Sequence, residues 1–160
     1  MNTNVQMEKS SRLCVIERMR EWLERTPNVP ALISDGAVYS YAEIWRAGCG
    51  VASLLNPPPS ASGLVVGVAV ARTPETYVSI LGTLIAGTAY LPVDPELPSP
   101  VIQSILDKAA PFAILATTDD ARRFSGCGLP VREINATALC ESGGNWSSVP
   151  QGPEALAYVI

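Results

Sequence analysis

Apolar positions along the chain fall into two rhythms that alternate. Leu13, Ile16, Met19, Trp22 and Leu23 share one face at helical spacing. Ser10 or Ser11 is placed to cap that helix, and Thr26-Pro27 to stop it. Two short strand-like runs follow, Ala31-Leu32-Ile33-Ser34 and Ala37-Val38-Tyr39-Ser40, separated by Asp35-Gly36. An Asp-Gly pair there predicts a hairpin, because both turn residues must tolerate positive φ. Ser40-Tyr41-Ala42-Glu43 is a capping box: the serine accepts from the backbone of Glu43, and the glutamate reaches back. A helix is expected over residues 41–55, with Ile44, Gly48, Val51, Ala52 and Leu55 inward and Pro57-Pro58-Pro59 behind it. Residues 57–63 read as a loop.

The second half of the pattern differs. Residues 64–71 are continuously apolar, as expected of a strand buried on both faces of a parallel sheet. Thr73-Pro74-Glu75 then opens a helix with a cap, a proline in the first turn and an acid near the positive dipole end. Its stripe is Tyr77, Leu81, Leu84 and Ile85, and Gly87 suits the left-handed residue that ends it. Thr88-Ala89-Tyr90-Leu91 is a second strand. Ser99-Pro100 starts a helix with Ile102, Ile105, Leu106 and Ala109 inward. Residues 112–117 and 131–134 are further strands, and residues 140–153 form a Gly/Ser/Pro-rich loop. Residues 155–160 look like a strand that begins. Strand and helix in alternation give an α/β domain with a largely parallel sheet flanked by helices. Residues 1–11 read as a disordered leader, and residues 12–160 as one folded portion.

Composition narrows the class. The chain has 160 residues, 48% hydrophobic and 16% charged, with a net charge of −4. Typical domains carry about 25% charged residues, so the surface is poor in charge. The acidic balance does not suit a non-specific nucleic-acid binder. The most apolar stretch, residues 77–93, is short for a membrane span and is broken by Ser79, Gly82, Gly87 and Pro92. The polar N-terminus lacks the apolar core of a signal peptide, so the cytoplasm is the expected compartment.

Candidate chemistry is sparse. There is no histidine, which removes the usual triads, an imidazole base and His-ligated metal. Cys14, Cys49, Cys127 and Cys140 form no C-x-x-C pair and read as reduced thiols behaving as small hydrophobes. Gly48-Cys49-Gly50 carries half of a dinucleotide fingerprint, but inside a predicted helix, where close helix packing explains it better. Asp94 sits just past a strand, where ligands of open α/β sheets bind. A carboxylate holding its own turn is the simpler reading. Arg72 could hold an anion or stand exposed. Asp119-Asp120 before Arg122-Arg123 reads as a solvated helix start. Trp22 and Trp45 read as core or interface residues.

Four stretches, in register, resemble one family. Val38-Tyr39-Ser40-Tyr41-Ala42-Glu43-Ile44 is similar to the opening motif of adenylate-forming enzymes. Residues 84–95, Leu-Ile-Ala-Gly-Thr-Ala-Tyr-Leu-Pro-Val-Asp-Pro, resemble their second motif. Residues 66–75, ending Arg-Thr-Pro-Glu, resemble the strand and helix start of the amino-acid-activating branch. Leu156-Ala157-Tyr158-Val159-Ile160 looks like the lead into the phosphate loop. The wording is nearest to nonribosomal peptide synthetase adenylation domains and their aminoadipate reductase relatives. Acyl-CoA synthetases are less similar.

The resemblance implies the first subdomain of the acyl-CoA synthetase/luciferase-like fold, incomplete and ending before the phosphate loop. It implies a parent reaction in which Mg·ATP and a carboxylic acid, here an amino acid, give an acyl adenylate and pyrophosphate. The acyl group then passes to a thiol, usually the phosphopantetheine arm of a carrier domain. Implied partners are the remainder of the adenylation domain, and carrier and condensation domains. Neither Lys9 nor Lys108 matches the family's catalytic lysine. No catalytic, cofactor-binding or metal-binding residue is therefore carried over, and ATP and magnesium belong to the complete domain. Two departures stand out. Ile85 replaces a lysine and is expected on a helix surface, and Pro100-Val101-Ile102 replaces a segment with an arginine. The alternatives are a non-catalytic scaffold piece docking on another synthetase module, an adenylation domain of aminoadipate reductase or acyl-CoA synthetase type, and an unrelated nucleotide-binding α/β domain. The chain alone is expected to be inactive.

Overall fold

The computed structural model describes residues 14–58, 63–69, 71–144, 146 and 155–160. The predicted leader and the Ser10 or Ser11 cap lie outside these. Helix α1, Val15–Arg25, is capped instead by Cys14, whose N–H donates to the Glu17 carboxylate at 2.9 Å. Strands β1, Pro30–Ser34, and β2, Ala37–Ser40, form the expected antiparallel hairpin. Asp35 and Gly36 take φ of 49° and 82°, the left-handed pair that such a turn demands.

The capping box forms as the spacing requires. Glu43 N–H donates to Ser40 Oγ at 3.3 Å, and Ser40 N–H donates to the Glu43 carboxylate at 2.8 Å. Helix α2, Tyr41–Leu55, buries the five positions expected of it. It ends at Asn56, left-handed at φ 39°, one residue before the prolines. Strand β3, Val65–Ala69, is shorter than its apolar run. Helix α3, Pro74–Ile85, is buried on more than a stripe: Thr76, Val78, Ser79 and Thr83 are buried too. One stripe position fails: Tyr77 is 52% exposed. Ile85 is fully buried against α2, as the stripe expects and against the surface position that the motif's lysine implies. Thr73 stands at the N-cap, yet its hydroxyl makes no capping bond.

Strand β4, Ala89–Val93, follows Gly87 at φ 81°. Helix α4, Ser99–Ala109, fully buries only Ile102 and Leu106, while Ile105 and Ala109 are partly covered. Strand β5 is Ala113–Ala116, helix α5 is a single turn at Thr118–Ala121, and a 3-10 turn spans Arg122–Phe124. Strand β6 is Val131–Glu133. Helix α6, Ala136–Ser142, takes the start of the expected loop, so Cys140 is helical and buried. Residues 145 and 147–153 of that loop lie outside the described residues.

The four longer-range strands form a parallel sheet in the order β4-β3-β5-β6. Tyr158 adds one parallel bridge to Tyr90 at the β4 edge, where Tyr90 N–H donates to Ala157 O and Val159 N–H to Tyr90 O, both at 3.0 Å. The expected terminal strand is thus one bridge long. Alternating side chains divide the core. Val66, Val68, Ala113 and Leu115 meet α2, α3 and α6 on one face. Leu91, Val93, Ile114 and Ala116 meet α4 and Phe124 on the other. The apolar run over residues 77–93 is therefore the end of α3 plus β4, and no described helix is long and apolar enough to cross a membrane.

Candidate functional site

The chain runs from β3 to β4, then back past β3 to β5. The winding reverses between β3 and β5, and ligands of such sheets bind beyond the carboxyl ends at that reversal. The polar side chains there hold the chain itself. Thr76 Oγ1 accepts from Ala71 N–H at 3.0 Å and donates to Ala71 O at 2.8 Å, fastening the end of β3 to α3. Asp94 Oδ1 accepts from Glu96 N–H at 2.8 Å, the turn-holding role that was the simpler reading. Thr117 Oγ1 accepts from Asp120 N–H at 3.2 Å and donates to the Asp120 carboxylate at 2.8 Å. Thr118 Oγ1 donates to the Glu133 carboxylate at 2.8 Å. The Glu75 carboxylate crosses to accept Ala136 N–H at 3.1 Å, at the start of α6. Arg72 is exposed beside the end of β3.

Arg123 is exposed, as a solvated start predicts, but it also takes a task that reading did not give it. Its Nε donates to Pro95 O at 3.0 Å and its Nη2 lies 3.5 Å from Leu97 O, so it clips the loop after β4. The one signal for this in the residue pattern is a cation following a short acidic helix start, with no hint of its target. Asp119-Asp120 does open a helix, but one of a single turn.

Gly48-Cys49-Gly50 lies within α2, far from any strand-to-helix turn. A Cβ at Gly48 would meet Ile85 Cδ1 at 3.0 Å, and one at Gly50 would meet Leu139 at 2.8 Å. These glycines let α3 and α6 approach α2, as close packing predicts. Beside them, a cavity of about 370 Å³ is lined by Trp45, Arg46, Cys49, Gly144 and Trp146, among others. Arg46 is held there by donating to Cys140 O at 2.6 Å. Burial pushes the Cys49 and Cys140 thiols up from the ordinary value, so both stay protonated and unreactive. All four cysteines are free. Trp22 stacks on Tyr41 with centroids 6.0 Å apart, and the Arg20 guanidinium lies over Trp45 at 5.7 Å. Both tryptophans are packing residues.

Among the described residues no three His, Cys, Asp or Glu side chains gather to hold a metal.

Comparison with known proteins gives this scaffold its context. Residues 19–152 match the family described as AMP-binding enzyme. Tyrocidine synthase 3 of Brevibacillus parabrevis is 32% identical over 149 residues, 91% of this chain but 2% of its own length. Bacitracin synthase 3 of Bacillus licheniformis is 33% identical over 147 residues, 88% of this chain and 2% of its own. An alpha-methyl-L-serine-AMP bound form of the nonribosomal peptide synthetase FmoA3 superposes with TM-score 0.82 at 28% identity, covering 93% of this chain and 17% of that one. VinN shares the fold with TM-score 0.80 at 21% identity, covering 92% of this chain and 41% of that one. The chain thus spans a small fraction of the relatives it matches.

Proposed function

The chain belongs to the AMP-binding enzyme family, as a portion of a nonribosomal peptide synthetase adenylation domain, and from that premise we propose that it serves amino-acid activation. The carrying observation is the fold in register with the motifs. The Ala-Gly-Thr-Ala-Tyr-Leu-Pro-Val-Asp stretch ends α3 at a left-handed Gly87, runs through edge strand β4 and closes on the Asp94 turn. The parent domain makes an aminoacyl adenylate from an amino acid and ATP, then hands the acyl group to the thiol of a carrier domain. Condensation domains are the further partners, and the setting is the cytoplasm.

The role of these residues is architectural. The described side chains do not fit magnesium or ATP: no acidic cluster forms, Asp94 is spent on its own turn, and the α2 glycines are packed against neighbouring side chains. We place the binding of both in parts of the domain outside this chain. What they supply is a fixed parallel sheet, with Arg123 holding the loop after β4.

The test is amino-acid-dependent ATP–pyrophosphate exchange. The 160-residue chain should give none. A hybrid in which it is followed by the rest of the FmoA3 adenylation domain should exchange with alpha-methyl-L-serine, the aminoacyl group seen on AMP in FmoA3. A folded but inactive hybrid would count against the reading.

A further inference from the structure

The cavity beside the α2 glycines owes its walls to two further glycines. A Cβ at Gly143 would collide with Arg46 O, and one at Gly144 would come within 2.9 Å of Ser53 Oγ, both on α2. Their lack of side chains brings the chain against α2 and sets Trp146 beside Cys49, whose Sγ lies 3.9 Å from Trp146 O. Trp45 packs on the core and also lines the cavity. Two indoles, one guanidinium and Leu23 of α1 thus share one space. Its volume, about 370 Å³, falls within the roughly 300–1,000 Å³ of small-molecule sites. Aromatic walls with a few polar groups are the usual make-up of such sites.

Three observations select the ligand. The first is charge. Arg46 is exposed, and among the described residues its guanidinium makes one hydrogen bond, to Cys140 O, and no ion pair. That bond orients a group with five N–H donors and leaves most of them for a ligand. Among the described residues no carboxylate lines the cavity. Glu43, three residues before Arg46, accepts from the Ser40 N–H and hydroxyl. A second cation, Arg20, lies over the Trp45 ring. The second observation is an unmet donor. Trp146 Nε1 is buried and has no acceptor among the described residues, which is costly and calls for an acceptor. The third is shape: two indole walls gain most from a flat ring in offset stacking. One lining guanidinium suits a single negative charge, and its planar fork matches a carboxylate.

We propose that the cavity between α1, α2 and Trp146 binds a small aromatic carboxylate, its ring against Trp45 and Trp146 and its carboxylate on Arg46. The inference stands whether or not the chain serves amino-acid activation.

Proton–nitrogen NMR of the 160-residue chain tests it, because the chain has three tryptophans and each gives one indole N–H signal. Benzoate should move the Trp45 and Trp146 signals saturably and leave that of Trp22, stacked on Tyr41, in place. Benzamide keeps the ring without the charge, and acetate the charge without the ring. Each should bind about tenfold more weakly than benzoate. Arg46→Gln should cut benzoate affinity about tenfold and leave benzamide affinity unchanged, whereas a structural collapse would weaken both. Arg46→Lys, which keeps the charge, should recover most of the loss. Should the glutamine variant unfold, Trp146→Leu gives a second route: benzoate affinity, read at the Trp45 signal, should fall several-fold. No saturable shift, a shift confined to Trp22, or equal affinity for benzoate and benzamide overturns the proposal. So do Trp45 and Trp146 signals that move with protein concentration and no ligand, because a second copy then fills the cavity.

Discussion

Gly82 and Gly48 show how much rests on the absence of a side chain. A Cβ at Gly82 would overlap the Val51 side chain and come within 2.7 Å of Gly48 O, which is backbone and cannot yield. A Cβ at Gly48 would meet first the Ile85 and Leu81 side chains, at 3.0 to 3.2 Å, rather than backbone. Overpacking of this kind costs about 1–3 kcal/mol. Gly82→Ala is expected at or above the top of that range and Gly48→Ala near its foot, read from chemical denaturation. The Cys49 and Cys140 thiols give a pH signature. Burial raises their folded pKa, so their share of stability is full below the unfolded value of about 8.5 and is lost as pH rises past it. Glu43 works in the opposite direction. Its bonds from the Ser40 hydroxyl and N–H hold its pKa below the usual value, so its share is present at neutral pH and lost as pH falls through the acid range. Denaturant midpoints should therefore fall at both ends. Replacing both cysteines by alanine should flatten the alkaline limb.

Among the elements, α2 is the one whose boundaries the residues themselves dictate. Its start rests on the Ser40–Glu43 box, and Ser40→Ala should cost about 1 kcal/mol in thermal or chemical unfolding. The hairpin turn and the opening of α3 at Pro74 were equally legible, because each depends on local chemistry at fixed spacing. What could not be read depends on partners distant in sequence. Tyr77 fits the helical stripe of α3, yet no described layer of this chain covers it. Ile85 resembles a surface position by motif, but α2 packs over it through Gly48. Helix α6 is only seven residues long, too short for its Ala136, Leu139, Cys140 spacing to stand out before a Gly/Ser-rich stretch. The Arg123 clip joins residues 26 and 28 positions apart, and no periodicity encodes it. Arg123→Ala should leave the sheet intact and speed amide exchange at Asp94, Glu96 and Leu97, read by hydrogen–deuterium exchange.

At the scale of the molecule, the described residues form a parallel sheet covered on both faces, with a separate two-stranded hairpin beside it. The parallel order β4-β3-β5-β6 and the two core clusters account for its coherence. The candidate chemistry was legible mainly as a lack: no histidine, no phosphate loop, and a carboxylate at Asp94 that keeps its own turn. The family was legible because its early motifs are structural and lie on the elements that build this sheet. On the proposed reading, activity depends on groups elsewhere in the domain that these motifs hold in place. The most direct test is ATP–pyrophosphate exchange measured in parallel on the 160-residue chain and on the FmoA3 hybrid. A scaffold role predicts amino-acid-dependent exchange by the hybrid and none by the short chain. Exchange by the short chain, or a folded hybrid without it, would contradict that role.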